Sequence, residues 1–171
     1  LQAGEWDVLG PEPGRAIVFY TGEWALYFLL ATLSASSARR RLSIALLIPR
    51  RRMLGLMTFF YATLHLLAYA TFLLEWDWSS LADELIERRY LTFGMLSWLI
   101  LLPLAITSTR SWQRRLGKRW KLLHRMSYLC AILVSVHYLL QIRANWFEPV
   151  FFSLVLFMLL LERRGSVQKT G

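Results

Sequence analysis

Leu116–Arg143 reads LGKRWKLLHRMSYLCAILVSVHYLLQIR, a basic opening followed by an apolar run that carries His124 and His137, two of the three histidines in the chain. A helix needs about 20 apolar residues to cross a ~30 Å hydrocarbon core. An imidazole inside such a run is costly to bury, which makes it a functional-site hypothesis from the outset. Thirteen residues at ~1.5 Å each would place the two histidines ~20 Å apart along one helix, so they cannot bind the same metal ion. On an ideal helix they also stand about 220° apart around the axis, a spacing that permits two stacked sites without requiring them.

The rest of the composition fits a membrane setting. The 171 residues are 56% hydrophobic with a mean hydropathy of +0.40, yet carry a net charge of +9. Sixteen of the twenty Lys and Arg residues fall in three clusters, Arg39–Arg52, Arg110–Arg125 and Arg163–Lys169, and ten of the eleven acidic residues lie away from them, Glu162 alone adjoining one. Alternating basic and acidic connections are the pattern of successive spans whose basic ends face the cytoplasm. The charge therefore sits at span ends, which argues against a nucleic-acid-binding protein despite a pI near 10.3. Cys130 is the only cysteine, so the chain holds no internal disulfide and no cysteine-based metal motif. No charged n-region with a cleavage site opens it, so no signal peptide is read.

Read in order, residues 1–15 form an external loop rich in Pro, Gly and acid, and the first span covers residues 16–37, running inward. The short apolar piece at 42–49, flanked by two arginine triplets, is too short to cross and is expected on the inner surface. The second span, 53–74, runs outward with His65 near its middle. An acidic external segment follows, in which Ser80 and Asp83 suggest a capping box opening a short helix and Trp76 and Trp78 an aromatic belt. The third span, 91–109, contains Pro103, expected to kink it. The fourth, 120–142, carries His124 and His137, and the fifth and shortest is 146–161. This gives an all-α integral membrane bundle of about five transmembrane helices, a single domain over residues 1–171, with the amino terminus outside and the carboxyl terminus inside. No strong internal repeat is visible.

His65 and His137 fall at similar depth in the middle or outer part of the bilayer. Two neutral imidazoles facing each other across a helix bundle suit the axial positions of a b-type haem. His124 lies near the inner surface, and the position on the second span that would complete an inner haem is Arg51, which is no ligand. An inner site at His124 therefore ranks second. The plain alternative is that the histidines are structural, bonded to backbone or to hydroxyls such as those of Thr63, Thr71 and Ser135. Zinc finds no acid or thiol at ligand spacing. Phe59, Phe60, Tyr61, Tyr69, Tyr128 and Tyr138 are candidate pocket aromatics.

RRMLGLMTFFYATLHLLAY, LTFGMLSWLILLPLAITST and RRLGKRWKLLHRMSYLCAILVSVHYL together resemble the MsrQ family, formerly YedZ, the haem-binding membrane subunits of the bacterial periplasmic methionine sulfoxide reductase system, within the ferric-reductase-like transmembrane group. The resemblance runs from Thr21 to about Arg164. It matches the family's LH at His65, its LGxxWxxLHR at Leu116–Arg125 with His124, and its HYL at His137, and it implies that all three histidines ligate haem iron, one or two haems b in all. It further implies electron transport in the bacterial inner membrane, with electrons taken from the quinone pool or a cytoplasmic flavin reductase, room for FMN as a flavoprotein cofactor, and delivery to a periplasmic molybdopterin-containing methionine sulfoxide reductase subunit. Two departures stand out. The family carries a further amino-terminal span before the external loop, so a bundle short of that first helix is expected here. Glu23 stands where the family tends to have a basic residue after the TG of the first span.

The expectation is thus an electron-transfer subunit rather than the catalytic subunit of its system. A transmembrane ferric reductase would usually bring a fused flavin and nicotinamide domain, absent here, and a cofactor-free structural membrane protein would show no haem absorbance.

Overall fold

With no water in the hydrocarbon core, every backbone N–H and C=O of a crossing segment must be bonded within it, and a chain of this composition can meet that demand as helices. The computed structural model describes residues 11–42, 47–141 and 146–167, and has helices and no strand among the described residues. In chain order they are α1 (Pro13–Leu42), α2 (Leu47–Phe72), α3 (Leu81–Glu87), α4 (Arg89–Ile106), α5 (Arg110–Leu116), α6 (Lys118–His124), α7 (Met126–Leu140) and α8 (Phe147–Val167). Four stretches are long and apolar enough to cross a membrane, Pro13–Ala35, Arg51–Phe72, Arg89–Ile106 and Lys118–Leu140, and Phe147–Leu161 is a shorter apolar helix. The protein is a multi-pass, all-α membrane bundle.

The helices form two antiparallel hairpins, α1 with α2 and α4 with α7. They meet along α2 and α4, while α8 packs against both α7 and α1. Where α1, α7 and α8 converge, Leu26, Leu29 and Leu33 enclose Ala131 and Leu156, and these five form one buried apolar cluster. The opposite faces are large and apolar, with Phe60, Leu67, Leu99, Ile132, Phe157 and Met158 all exposed. A water-soluble protein would not leave such a band uncovered, whereas acyl chains solvate it at no cost.

Several expectations change in detail. The fourth span is not one continuous helix: α6 ends at His124 and α7 begins at Met126. No proline forces this break. Arg125 N–H bonds the Leu122 carbonyl at 3.1 Å, Tyr128 N–H bonds the Arg125 carbonyl at 3.0 Å, and the Ser127 hydroxyl takes the His124 carbonyl at 2.8 Å. A tightened turn with a side chain in the ladder replaces the regular pattern, so the ideal-helix angle between His124 and His137 does not apply. Pro103, where a kink is expected, lies inside α4, which runs on to Ile106. The expected surface piece at 42–49 lies partly outside the described residues; on its flanks α1 reaches Leu42 and α2 starts at Leu47.

The short helix of the acidic segment is present, but not through a capping box. Ser80 has helical backbone angles and makes no side-chain cap; its hydroxyl donates instead to the Asp77 carbonyl at 2.9 Å. Asp77 accepts from the Ser79 hydroxyl and N–H, which hold its carboxyl below the usual carboxylate range. At the basic end, Gly117 separates α5 from α6 at φ 51° and ψ −120°, a conformation that side chains disfavour. Gly117→Ala is expected to cost about 1–3 kcal/mol, read as a lower melting temperature in detergent with an unchanged spectrum of any bound chromophore.

Candidate functional site

The two hairpins bring His65 of α2 and His137 of α7 together, with ring centroids 6.1 Å apart and planes near perpendicular at 85°. Each ring is held by the first helix of its own hairpin. His65 Nδ1 lies 2.8 Å from the carbonyl oxygen of Val18 on α1, and His137 Nδ1 lies 2.7 Å from that of Tyr90 on α4. A carbonyl only accepts, so Nδ1 must carry the proton in both rings. In a neutral imidazole the other nitrogen, Nε2, is then an unprotonated lone pair, and among the described residues neither Nε2 has a hydrogen-bond partner. The reading of the histidines as structural side chains expected a backbone bond. That bond exists, but it satisfies only one nitrogen of each ring and leaves the other free.

The rings border a cavity of about 260 Å³ whose wall is almost wholly apolar. Small residues make room for the imidazoles. A Cβ on Gly22 would stand 3.0 Å from His65 Cε1 and Nδ1, and one on Gly94 would stand 2.9 Å from His137 Nδ1. Towards the α3 end the wall is made by Tyr69, Gln141, Trp76 and Trp78, and Trp76 sits there with a left-handed backbone, φ 61°. Of the aromatics expected to line a pocket, Tyr69 and Tyr138 do. Phe59 instead stacks on Trp98, Tyr61 packs between Trp24 and Phe28, and Phe60 is exposed. Trp98, Gly22 and Gly94 were not foreseen, and only a register between the two hairpins would have singled the glycines out.

Tyr90 is fixed from two sides. Its carbonyl holds His137, and its side chain bonds Arg88, which also meets Glu84 at 3.0 Å. The Tyr90 bond, more than the neighbouring carboxylate, raises the Arg88 guanidinium above its ordinary value. Glu84 in turn accepts from the Tyr69 hydroxyl at 3.0 Å, tying α3 to the end of α2 beside the cavity.

His124 does not border this cavity. Its Nε2 lies 3.2 Å from Thr107 Oγ1, and Trp120 stacks on the ring at 4.1 Å while donating its indole N–H to the Thr107 carbonyl at 2.9 Å. The Thr107 hydroxyl spends its one proton on the Pro103 carbonyl at 2.6 Å, so towards His124 it can only accept. The nitrogen left free in His65 and His137 is therefore the protonated, engaged one in His124. No cluster of three His, Cys, Asp or Glu able to hold a bare metal ion occurs among the described residues.

Residues 21–135 match the family described as ferric reductase-like transmembrane component. Among relatives, one from Klebsiella pneumoniae is 47% identical over 90% of this chain and 76% of its own length. One from Rhodospirillum rubrum is 45% identical over 91% and 75%, and one from Xanthomonas oryzae is 43% identical over 90% and 71%. All three are named protein-methionine-sulfoxide reductase heme-binding subunit MsrQ. No solved structure matches.

Proposed function

Because the chain belongs to the ferric reductase-like transmembrane family, and within it to the haem-binding MsrQ subunits of methionine sulfoxide reductase, we propose that it is an electron-transfer subunit whose working site is one b-type haem held between His65 and His137. The observation that carries this reading is the pair of free Nε2 atoms in adjacent rings. Two metal–nitrogen bonds of ~2 Å plus the ring radii place the centroids of a bis-imidazole iron on the order of 6 Å apart, and here they are 6.1 Å apart. The residues present thus fit the group.

Bound there, haem supplies a one-electron couple. The chain's own contribution is ligation and setting. His65 and His137 present lone pairs fixed in one tautomer by the Val18 and Tyr90 carbonyls, which also make the imidazoles more basic and favour the oxidised iron. The apolar wall excludes water and keeps the dielectric low, so an electron passes without a proton and without side reactions. No side chain acts as nucleophile or general base.

Electrons would arrive from the quinone pool or a cytoplasmic flavin reductase, with FMN a further cofactor on that side. They would leave for a periplasmic, molybdopterin-containing methionine sulfoxide reductase subunit. The basic clusters, at the ends of the spans away from α3, support an inner-membrane orientation with that end cytoplasmic and the α3 end periplasmic. A second haem at His124 would require either that Nε2 leave Thr107 or that Nδ1 serve as the ligand, and in both cases a second ligand from outside the three histidines. The expected haem-to-chain ratio is one.

The test is a reduced-minus-oxidised visible spectrum of the purified chain with haem and protein quantified together. Sharp b-type bands at a ratio of one support the reading, a ratio of two brings His124 in as a second site, and no bands after expression with ample haem overturn it. Thr107→Val, which removes the hydroxyl beside His124 but touches nothing in the cavity, is expected to leave the bands and the ratio unchanged.

A further inference from the structure

The two histidines are held by one device used twice. On α1 a carbonyl grips Nδ1 at Val18, and Gly22 follows one turn later on the same face; on α4 the carbonyl is at Tyr90, and Gly94 follows one turn later. In both hairpins the carbonyl precedes its histidine by 47 residues. The second trio therefore repeats the first at a constant offset, 18 to 90, 22 to 94 and 65 to 137. Chance placement of one glycine beside one imidazole would be unremarkable packing. The same glycine at the same turn against the same edge of both rings is a design feature of the site.

Resting on the reading of His65 and His137 as haem ligands, we infer that Gly22 and Gly94 are positioning residues of the cofactor site, which by lacking a Cβ let each imidazole lie against the helix whose carbonyl holds it and so set the angle between the two ligand planes. A helical residue one turn beyond the carbonyl projects its Cβ over that turn. There it would meet His65 at 3.0 Å or His137 at 2.9 Å, closer than a Cβ is normally found to a ring. Neither ring can yield by sliding, because Nδ1 is pinned to the carbonyl at 2.8 or 2.7 Å. An added methyl must therefore rotate the ring or lengthen that bond. Either change alters what the ligand pair presents to the iron while the helices remain in place.

The two glycines elsewhere in α1 and α2 supply controls. Gly14 is as tightly packed, its Cβ position lying 2.7 Å from Phe72 Cβ, and Gly55 is loosely packed, 3.8 Å from Thr32 Cγ2. Neither site touches a histidine.

The experiment compares G22A, G94A, G14A and G55A in the full chain, purified in detergent with its haem. Haem content, the low-spin ferric EPR signal and the midpoint potential are measured for each. Planes near perpendicular give a strongly anisotropic low-spin signal in the unsubstituted protein. G22A and G94A are expected to shift that signal and the potential and to weaken haem retention about ten-fold, the lower end of what losing an outer-shell contact costs. G14A and G55A should keep the parent line shape, even where G14A melts earlier. Unaltered signals and potentials in G22A and G94A overturn the inference, as does an equal shift in G14A, which would make the effect general packing. Those outcomes leave the haem reading intact, whereas an unsubstituted protein without haem removes that reading first.

Discussion

His65→Ala and His137→Ala will each abolish the low-spin b-type spectrum, while His124→Ala will retain it. Each of the first two substitutions removes one of the two imidazoles that border the cavity, and no other side chain on the wall can replace an imidazole there: its other polar side chains are hydroxyls, indoles and the Gln141 amide, and the Thr58 and Ser97 hydroxyls are already spent on carbonyls of their own helices. The remaining histidine, still pinned through Nδ1, could hold haem from one side at most. Retention should fall by roughly two orders of magnitude, the upper end of the range for disturbing a metal ligand's support, since here the ligand itself is gone. The measurement is haem per chain after purification, followed by the reduced spectrum of whatever remains. His124→Ala disturbs Thr107 and Trp120 at the far end of the same span. A full low-spin spectrum in His65→Ala, or its loss in His124→Ala with His65 and His137 present, would falsify the assignment.

The histidine-bearing spans were legible because burying an imidazole in an apolar run is expensive and leaves a conspicuous mark in sequence. Depth along the spans then paired His65 with His137, and the adjacent rings show that pairing in space. That the fold is all-helical, with several apolar helices of membrane length, followed from apolar length alone; of the five spans expected, four are long enough to cross and the fifth is a shorter apolar helix. What stayed hidden depends on contacts between distant residues. The carbonyls of Val18 and Tyr90 carry no side-chain signature at all, since any residue offers a carbonyl. Gly22 and Gly94 read as ordinary small residues of membrane helices until a histidine from the paired helix is seen against each. The repeat was invisible for the same reason: it conserves a backbone acceptor, a missing Cβ and a ligand, and the side chains between them differ. The break at Arg125 was equally hidden, because Ser127 ends α6 through a local bond that competes with the helix, not through proline or glycine. His124 illustrates the converse. Its sequence context marks it as strongly as His65, and only Thr107, from another helix, reverses which nitrogen is free.

Leu156→Ala should destabilise the bundle by about 2 kcal/mol, towards the lower end of the 2–5 kcal/mol typical of such truncations. Leu156 is 1% exposed and meets Leu26, Leu29, Leu33 and Ala131, the last fully buried. In a bilayer the transfer part of the loss shrinks, because lipid is as apolar as the core, but an enclosed void is closed to acyl chains and the packing part remains. Met158, two residues on and 66% exposed, already faces the solvating chains. Met158→Ala should stay within about 0.5 kcal/mol. In a thermal melt in detergent the first substitution should lower the midpoint by about 5 °C and the second should not move it measurably. The consequence reaches the site. α8 packs against α7, which carries His137, and against α1, whose Val18 carbonyl holds His65. Haem binds the assembled bundle and so adds its own binding free energy to that assembly. Leu156→Ala should therefore lose haem at a lower temperature than the parent protein, and its midpoint should fall further below the parent's when both are prepared without haem. Equal midpoints for Leu156→Ala and Met158→Ala would mean that α8 is not part of what holds the two ligand-bearing hairpins together.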